Sequence, residues 1–62
     1  MNTRIEKGGK VYEVTFDEDG VLDTVVCDGK FLSLVNRVVR QILTNSDKIQ
    51  RGQLPTGFTR VA

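Results

Sequence analysis

The side chains of this chain best suited to chemistry are one cysteine, Cys27, and three consecutive carboxylates, Asp17, Glu18 and Asp19. A nucleophilic cysteine or serine ordinarily needs a neighbouring base, and the sequence contains no histidine. The three carboxylates precede Gly20, which predicts a solvated turn rather than an acid and a base held in a pocket. We therefore expect no enzymatic activity, no catalytic residue and no cofactor.

A metal site is the second kind of chemistry to consider. Zinc sites built from cysteine and histidine need more ligands than one cysteine and no histidine supply. A calcium loop of the EF-hand type has its glycine at the sixth position, whereas Gly20 follows Asp17 as the fourth residue of the acidic stretch. We therefore expect no bound metal, and we expect Cys27, at the end of a valine-rich run, to be a small core residue.

A third candidate is the polar side of the stretch from Phe31 to Asn45. Arginine, glutamine and threonine contact phosphates and base edges when a helix enters a DNA groove. With two cations that follow, the predicted contacts to nucleic acid or to an acidic partner are Arg37, Arg40, Gln41, Thr44, Lys48 and Arg51. Against this interpretation, the net charge is only +1. Residues 1–29 carry seven acidic and three basic side chains, whereas residues 30–62 carry one and six.

The element that must position these side chains is a helix predicted from Phe31 to Asn45. Its apolar residues recur at helical spacing and cover about 180° of the helix surface, where about 100° is enough to sit on a core. We expect Asp28 or Ser33 to cap its start. After Asn45 we expect one further turn, Asp47 to Arg51, that Gly52 closes; alternatively, the long helix continues to Gly52.

Strands are predicted before the helix. Thr3 to Lys7 is followed by a Gly8-Gly9 turn, Lys10 to Phe16 has Tyr12, Val14 and Phe16 on its buried side, and Val21 to Cys27 follows. In this last strand we expect Leu22, Thr24 and Val26 on one face, with Val21, Asp23, Val25 and Cys27 on the other. Asp28-Gly29 then leads into the helix, the interpretation we favour, or forms a hairpin with Lys30 to Leu32.

These elements predict one small domain of the α+β class, residues 1–62. An acidic three-stranded antiparallel meander, 1–29, packs against a basic-faced amphipathic helix, 30–51, on one face of the sheet. The tail, 52–62, contains Pro55 and Gly57. Its last residues, Phe58 to Val61, add a fourth, edge strand or form a loose tail in which Phe58 plugs the core.

A chain this short buries too little surface to be very stable, and its wide apolar helix face exceeds what a small sheet can cover. We therefore predict a non-catalytic interaction protein that forms a homodimer, binds a larger protein, or does both. The predicted interface is Leu34, Val38, Val39, Ile42 and Leu43. The alternative is a nucleic-acid-binding regulator.

The chain resembles, in size and composition, small accessory proteins of bacteria and phages, and this resemblance implies a regulator, an inhibitor or an adaptor. We find no hydrophobic segment of the length that a signal peptide or a membrane span needs. We therefore expect a cytoplasmic protein with no membrane contact.

Overall fold

A computed structural model describes residues 1–61. Five strands form one antiparallel sheet in the order β4-β3-β2-β1-β5, and two short helices follow β4. The elements are β1 Asn2–Lys7, β2 Lys10–Phe16, β3 Leu22–Cys27, β4 Lys30–Phe31, α1 Arg37–Thr44, α2 Ser46–Gln50 and β5 Thr59–Arg60. The predicted α+β class is confirmed, with two more strands than the predicted meander.

The connection at Asp28-Gly29 is a hairpin turn, so the prediction that it leads into the helix is wrong. Asp28 has φ +54° and Gly29 has φ +75°, the pair of positive values that a type I′ turn requires. This turn matches the twist of the flanking strands, and it places Phe31 opposite Val26 in β4. Phe31 is 76% exposed and takes no part in a helix.

Helix α1 begins at Arg37, six residues later than predicted. Its N-cap is Asn36, whose Oδ1 accepts hydrogen bonds from the backbone N–H groups of Val38 at 2.9 Å and Val39 at 3.2 Å. Neither Asp28 nor Ser33 caps it. The predicted end near Asn45 and the separate turn beyond it are confirmed, since α2 begins at Ser46.

A β-bulge in β3 changes which face Leu22 occupies. Thr15 pairs with Thr24 and Phe16 pairs with Leu22, so Asp23 is the extra residue between them. Leu22 therefore packs against the core, as do Val25 and Cys27, and the predicted strict alternation fails at this point.

The C-terminal stretch forms the predicted edge strand and not the loose tail that was the alternative. Thr59 and Arg60 pair with β1 as an edge strand, and Phe58 is buried. Arg60 Nη1 donates a 3.0 Å hydrogen bond to Thr3 Oγ1, which ties this edge to the sheet.

The core lies between one face of the sheet and the two helices. The predicted inward face of β2 is confirmed, and Cys27 is a buried free thiol. The buried apolar side chains are Ile5, Tyr12, Val14, Phe16, Val25, Cys27, Val39, Ile42, Ile49 and Phe58.

Two residues of the predicted interface, Val39 and Ile42, are core residues of a single subunit, so they are not available to a partner. The reason is that they belong to one core cluster with apolar side chains of β1, β2 and β3 and with Phe58, so this part of the helical face is already covered. The shorter α1 also has less apolar surface to cover.

Candidate functional site

An apolar cleft with a volume of about 400 Å³ lies between β3 and the start of α1. We call it the apolar cleft. Its lining residues are Val21, Leu22, Asp23, Val25, Leu32, Ser33, Leu34, Val39 and Leu43. Asp23 is the one charged residue in this lining.

Large apolar side chains at the apolar cleft are accessible to solvent. Leu34 is 59% exposed, Val21 57% and Leu43 43%. Leu34 lies in the segment before α1, Val21 immediately before β3, and Leu43 in the last turn of α1. The fold brings the three side chains together around one opening. Scattered apolar side chains are normal on a protein surface, but several around one cleft are typical of a binding surface.

The predicted interface is therefore divided by the fold. Leu34 and Leu43 line the apolar cleft and are exposed, whereas Val38 is half-buried against the core. Val39 contributes to the cleft wall from the core, and Ile42 is fully enclosed. Sequence reasoning missed Val21, because the assumed alternation of β3 does not show which residues border the helix.

Most of the residues predicted to contact nucleic acid or an acidic partner lie at the surface. Arg37, Arg40, Thr44, Lys48 and Arg51 are exposed. Gln41 is half-buried, and its Oε1 accepts a 2.7 Å hydrogen bond from Lys7 Nζ. The Lys7 ammonium also lies 4.8 Å from the centre of the Phe58 ring. Through its hydrogen bond with Lys7, Gln41 links α1 to β1 within the fold.

A smaller cleft of about 220 Å³ opens at the other end of the β3–β4 hairpin, beside the start of α1. We call it the lysine cleft. It is lined by Lys10, Tyr12, Cys27, Asp28, Lys30, Leu32 and Asn36. The register explains this grouping, since Tyr12 is opposite Cys27 and Cys27 is opposite Lys30.

Sequence reasoning did not find the lysine cleft. The available signal was that each glycine-containing turn, Gly8-Gly9 and Asp28-Gly29, is followed directly by a lysine. Reading both turns as hairpins places Lys10 in β2 and Lys30 in β4, the strands on either side of β3, where Cys27 is opposite both Tyr12 and Lys30. The preference for a helix after Asp28-Gly29 concealed this arrangement.

The acidic turn is stabilised by hydrogen bonds from its own backbone N–H groups to the side chain of Asp17. Asp17 Oδ1 accepts hydrogen bonds of 2.9 Å from the N–H groups of Asp19 and Val21. Gln50 Nε2 donates to the carbonyl of Gly20 at 2.9 Å, which joins the turn to α2. Within residues 1–61, no group of three or more acidic, histidine or cysteine side chains is placed to hold a metal ion.

Across the part of the chain that the structure describes, neither helix has the length and apolar character needed to cross a membrane. Comparisons of the chain with protein-family models, with curated proteins and with solved structures found no match. Functional inference must therefore start from the two clefts and the basic surface themselves.

Proposed function

We propose that this chain is a non-catalytic interaction protein of the cytoplasm that forms a homodimer through the apolar cleft and acts by binding a larger protein. The observation that carries the proposal is the grouping of Val21, Leu34 and Leu43, each more than two-fifths exposed, around one opening. Their exposure supports self-association because burying such side chains is favourable and a chain this short has few other means of hiding them.

Side-chain packing rather than strand pairing fits this dimer. The first half of β3 borders the cleft, while β4 pairs only with Val26 and Cys27. Two copies that paired along this free edge would bring Asp23 close to the Asp23 of the other copy, and like charges in facing positions are destabilising. We therefore expect the cleft side chains, and not the β3 backbone, to form the contact.

Sedimentation velocity over about 1 to 200 µM tests the dimer, because weak homodimers dissociate in this range. Leu34→Asp places a charge at the cleft and should abolish association. Val35→Asp is the matched control, since Val35 is 87% exposed and does not line the cleft. A wild-type protein that is monomeric at every concentration, or a loss of association in both variants alike, would contradict the proposal.

The second candidate function, nucleic-acid binding, is favoured by the exposure of every predicted cation on the helices and just after them. Arg37, Arg40, Lys48 and Arg51 all remain free of the core. Nucleic acid bound by these residues should be released steeply by salt, because each phosphate contact displaces a counterion. Fluorescence anisotropy with labelled duplex and single-stranded DNA at low and increasing salt tests this function. Arg37→Gln with Arg40→Gln should weaken binding, and no binding at low salt would end this candidate.

A further inference from the structure

We propose that the lysine cleft is a binding site for a small oxyanion of the phosphate or carboxylate class. The site shares only Leu32 with the lining of the apolar cleft and does not depend on the proposed dimer. Three features support this site: a buried tyrosine whose hydroxyl has no partner among residues 1–61, two lysines that line the same cleft, and a helix start with no acidic residue in its first turn.

The first feature is the buried side chain of Tyr12 and its hydroxyl group. Its side chain is 6% exposed, yet its hydroxyl makes no hydrogen bond to any atom of residues 1–61. In the same range, no fully enclosed side-chain oxygen lacks a partner, so the hydroxyl must retain some contact with an opening. Tyr12 lines the lysine cleft, and a phenolic hydroxyl that reaches this opening can donate a hydrogen bond to an anion.

The charges around the cleft favour an anion. Lys10 and Lys30 line it, against the single carboxylate of Asp28. Lysine ammonium groups carry three donors each and are well suited to meet phosphate or carboxylate oxygens as point charges.

The start of α1 adds to the positive potential. Asn36, its N-cap, lines the cleft, and the first turn contains no acidic residue. Arg37 occupies the first helical position instead, so a cation stands where the helix dipole favours an anion. Asn36 Oδ1 satisfies the N–H groups of Val38 and Val39, while the N–H of Arg37 has no acceptor among the residues described. The dipole at this helix start would therefore favour a bound oxyanion.

The size of the cleft limits the ligand. At about 220 Å³ it is smaller than the pockets of several hundred Å³ that hold drug-sized molecules. Leu32 and Cys27 supply an apolar part of the wall, so the space suits one oxyanion group with at most a short apolar stem. We therefore place inorganic phosphate and short carboxylic acids in the class that fits.

Titration of ¹⁵N-labelled protein with sodium phosphate, and separately with sodium acetate, tests this site at constant ionic strength maintained with chloride. The amide signals of Lys30 and Arg37 should shift in a saturable manner. The anion with the lower Kd identifies which of the two chemistries the site prefers.

Tyr12→Phe removes only the hydroxyl and should raise the Kd about tenfold, the usual effect of losing a hydrogen bond to a charged group. Lys30→Gln should raise it about fivefold. Lys48→Gln is the matched control, because it removes the same charge from α2, outside the cleft, and should leave the Kd within about twofold.

Two results would overturn the proposal. The first is the absence of saturable shifts with both anions. The second is an equal loss of affinity in Lys30→Gln and Lys48→Gln, which would show general attraction by net charge. If Tyr12→Phe does not fold, as its amide spectrum would reveal, the comparison of the two lysine variants decides the matter alone.

Discussion

The start of α1 provides the sharpest test of the fold, because sequence and structure assign it to different residues. Asn36→Ala removes an oxygen that accepts two backbone hydrogen bonds, at 2.9 and 3.2 Å. Loss of an N-cap typically costs about 1 kcal/mol, within a range of about 0.5 to 2. At about 0.05 to 0.15 kcal/mol per residue, a chain of this length has roughly 3 to 9 kcal/mol of total stability. The loss is therefore a substantial fraction.

Urea unfolding followed by far-UV circular dichroism measures this effect. With a denaturant slope near 1 kcal/mol/M for a small domain, Asn36→Ala should lower the unfolding midpoint by about 1 M. Ser33→Ala is the matched control, since Ser33 is the cap that the sequence suggests and its hydroxyl makes no hydrogen bond among residues 1–61. We expect the midpoint of Ser33→Ala to match that of the wild type. A larger loss in Ser33→Ala than in Asn36→Ala would refute the assignment of the helix start.

Three further changes test the core, the β3–β4 hairpin turn and the apolar cleft. Ile42→Ala empties a fully enclosed position and should cost about 2 to 5 kcal/mol in urea unfolding, more than the loss of about 1 kcal/mol expected for Asn36→Ala. Gly29→Ala should cost about 1 kcal/mol in urea unfolding, since φ at Gly29 is +75° and no atom lies within 4 Å of the added carbon. Asp23→Asn removes the charge from the lining of the apolar cleft and should strengthen self-association in sedimentation; a weaker dimer would contradict packing through that cleft.

The strands were the more predictable part of the chain because their signals are local. Alternation in Lys10–Phe16 identified Tyr12, Val14 and Phe16 as inward residues, and all three are buried. The failure at Leu22 has a different origin. A bulge depends on the register between two strands, Thr15 with Thr24 and Phe16 with Leu22, and no pattern within β3 alone reveals it.

The same distinction explains why neither cleft follows from the pattern within any one element. The lysine cleft joins side chains from β2, β3 and β4 with the cap of α1, so it exists only once the second hairpin forms. The apolar cleft combines Val21 with Leu43, which lie far apart in the chain. Residue types indicated which side chains were unusual, but tertiary contacts decided which of them meet.

The apolar residues from Phe31 to Val35 show that a periodic pattern can correctly predict excess apolar surface and yet assign it to the wrong element. They match helical spacing, yet the two positive φ values at Asp28 and Gly29 commit the chain to a hairpin before a helix can begin. Phe31 and Val35 consequently remain exposed outside α1, while Val39 and Ile42, within it, are buried in the core with apolar side chains of β1, β2 and β3. The excess apolar surface therefore lies at the β4 edge and in the segment that leads to α1. Of the exposed apolar residues there, Leu34 lines the apolar cleft whereas Phe31 and Val35 do not. Leu34→Asp is therefore the decisive substitution for the proposed dimer, and Val35→Asp is its control.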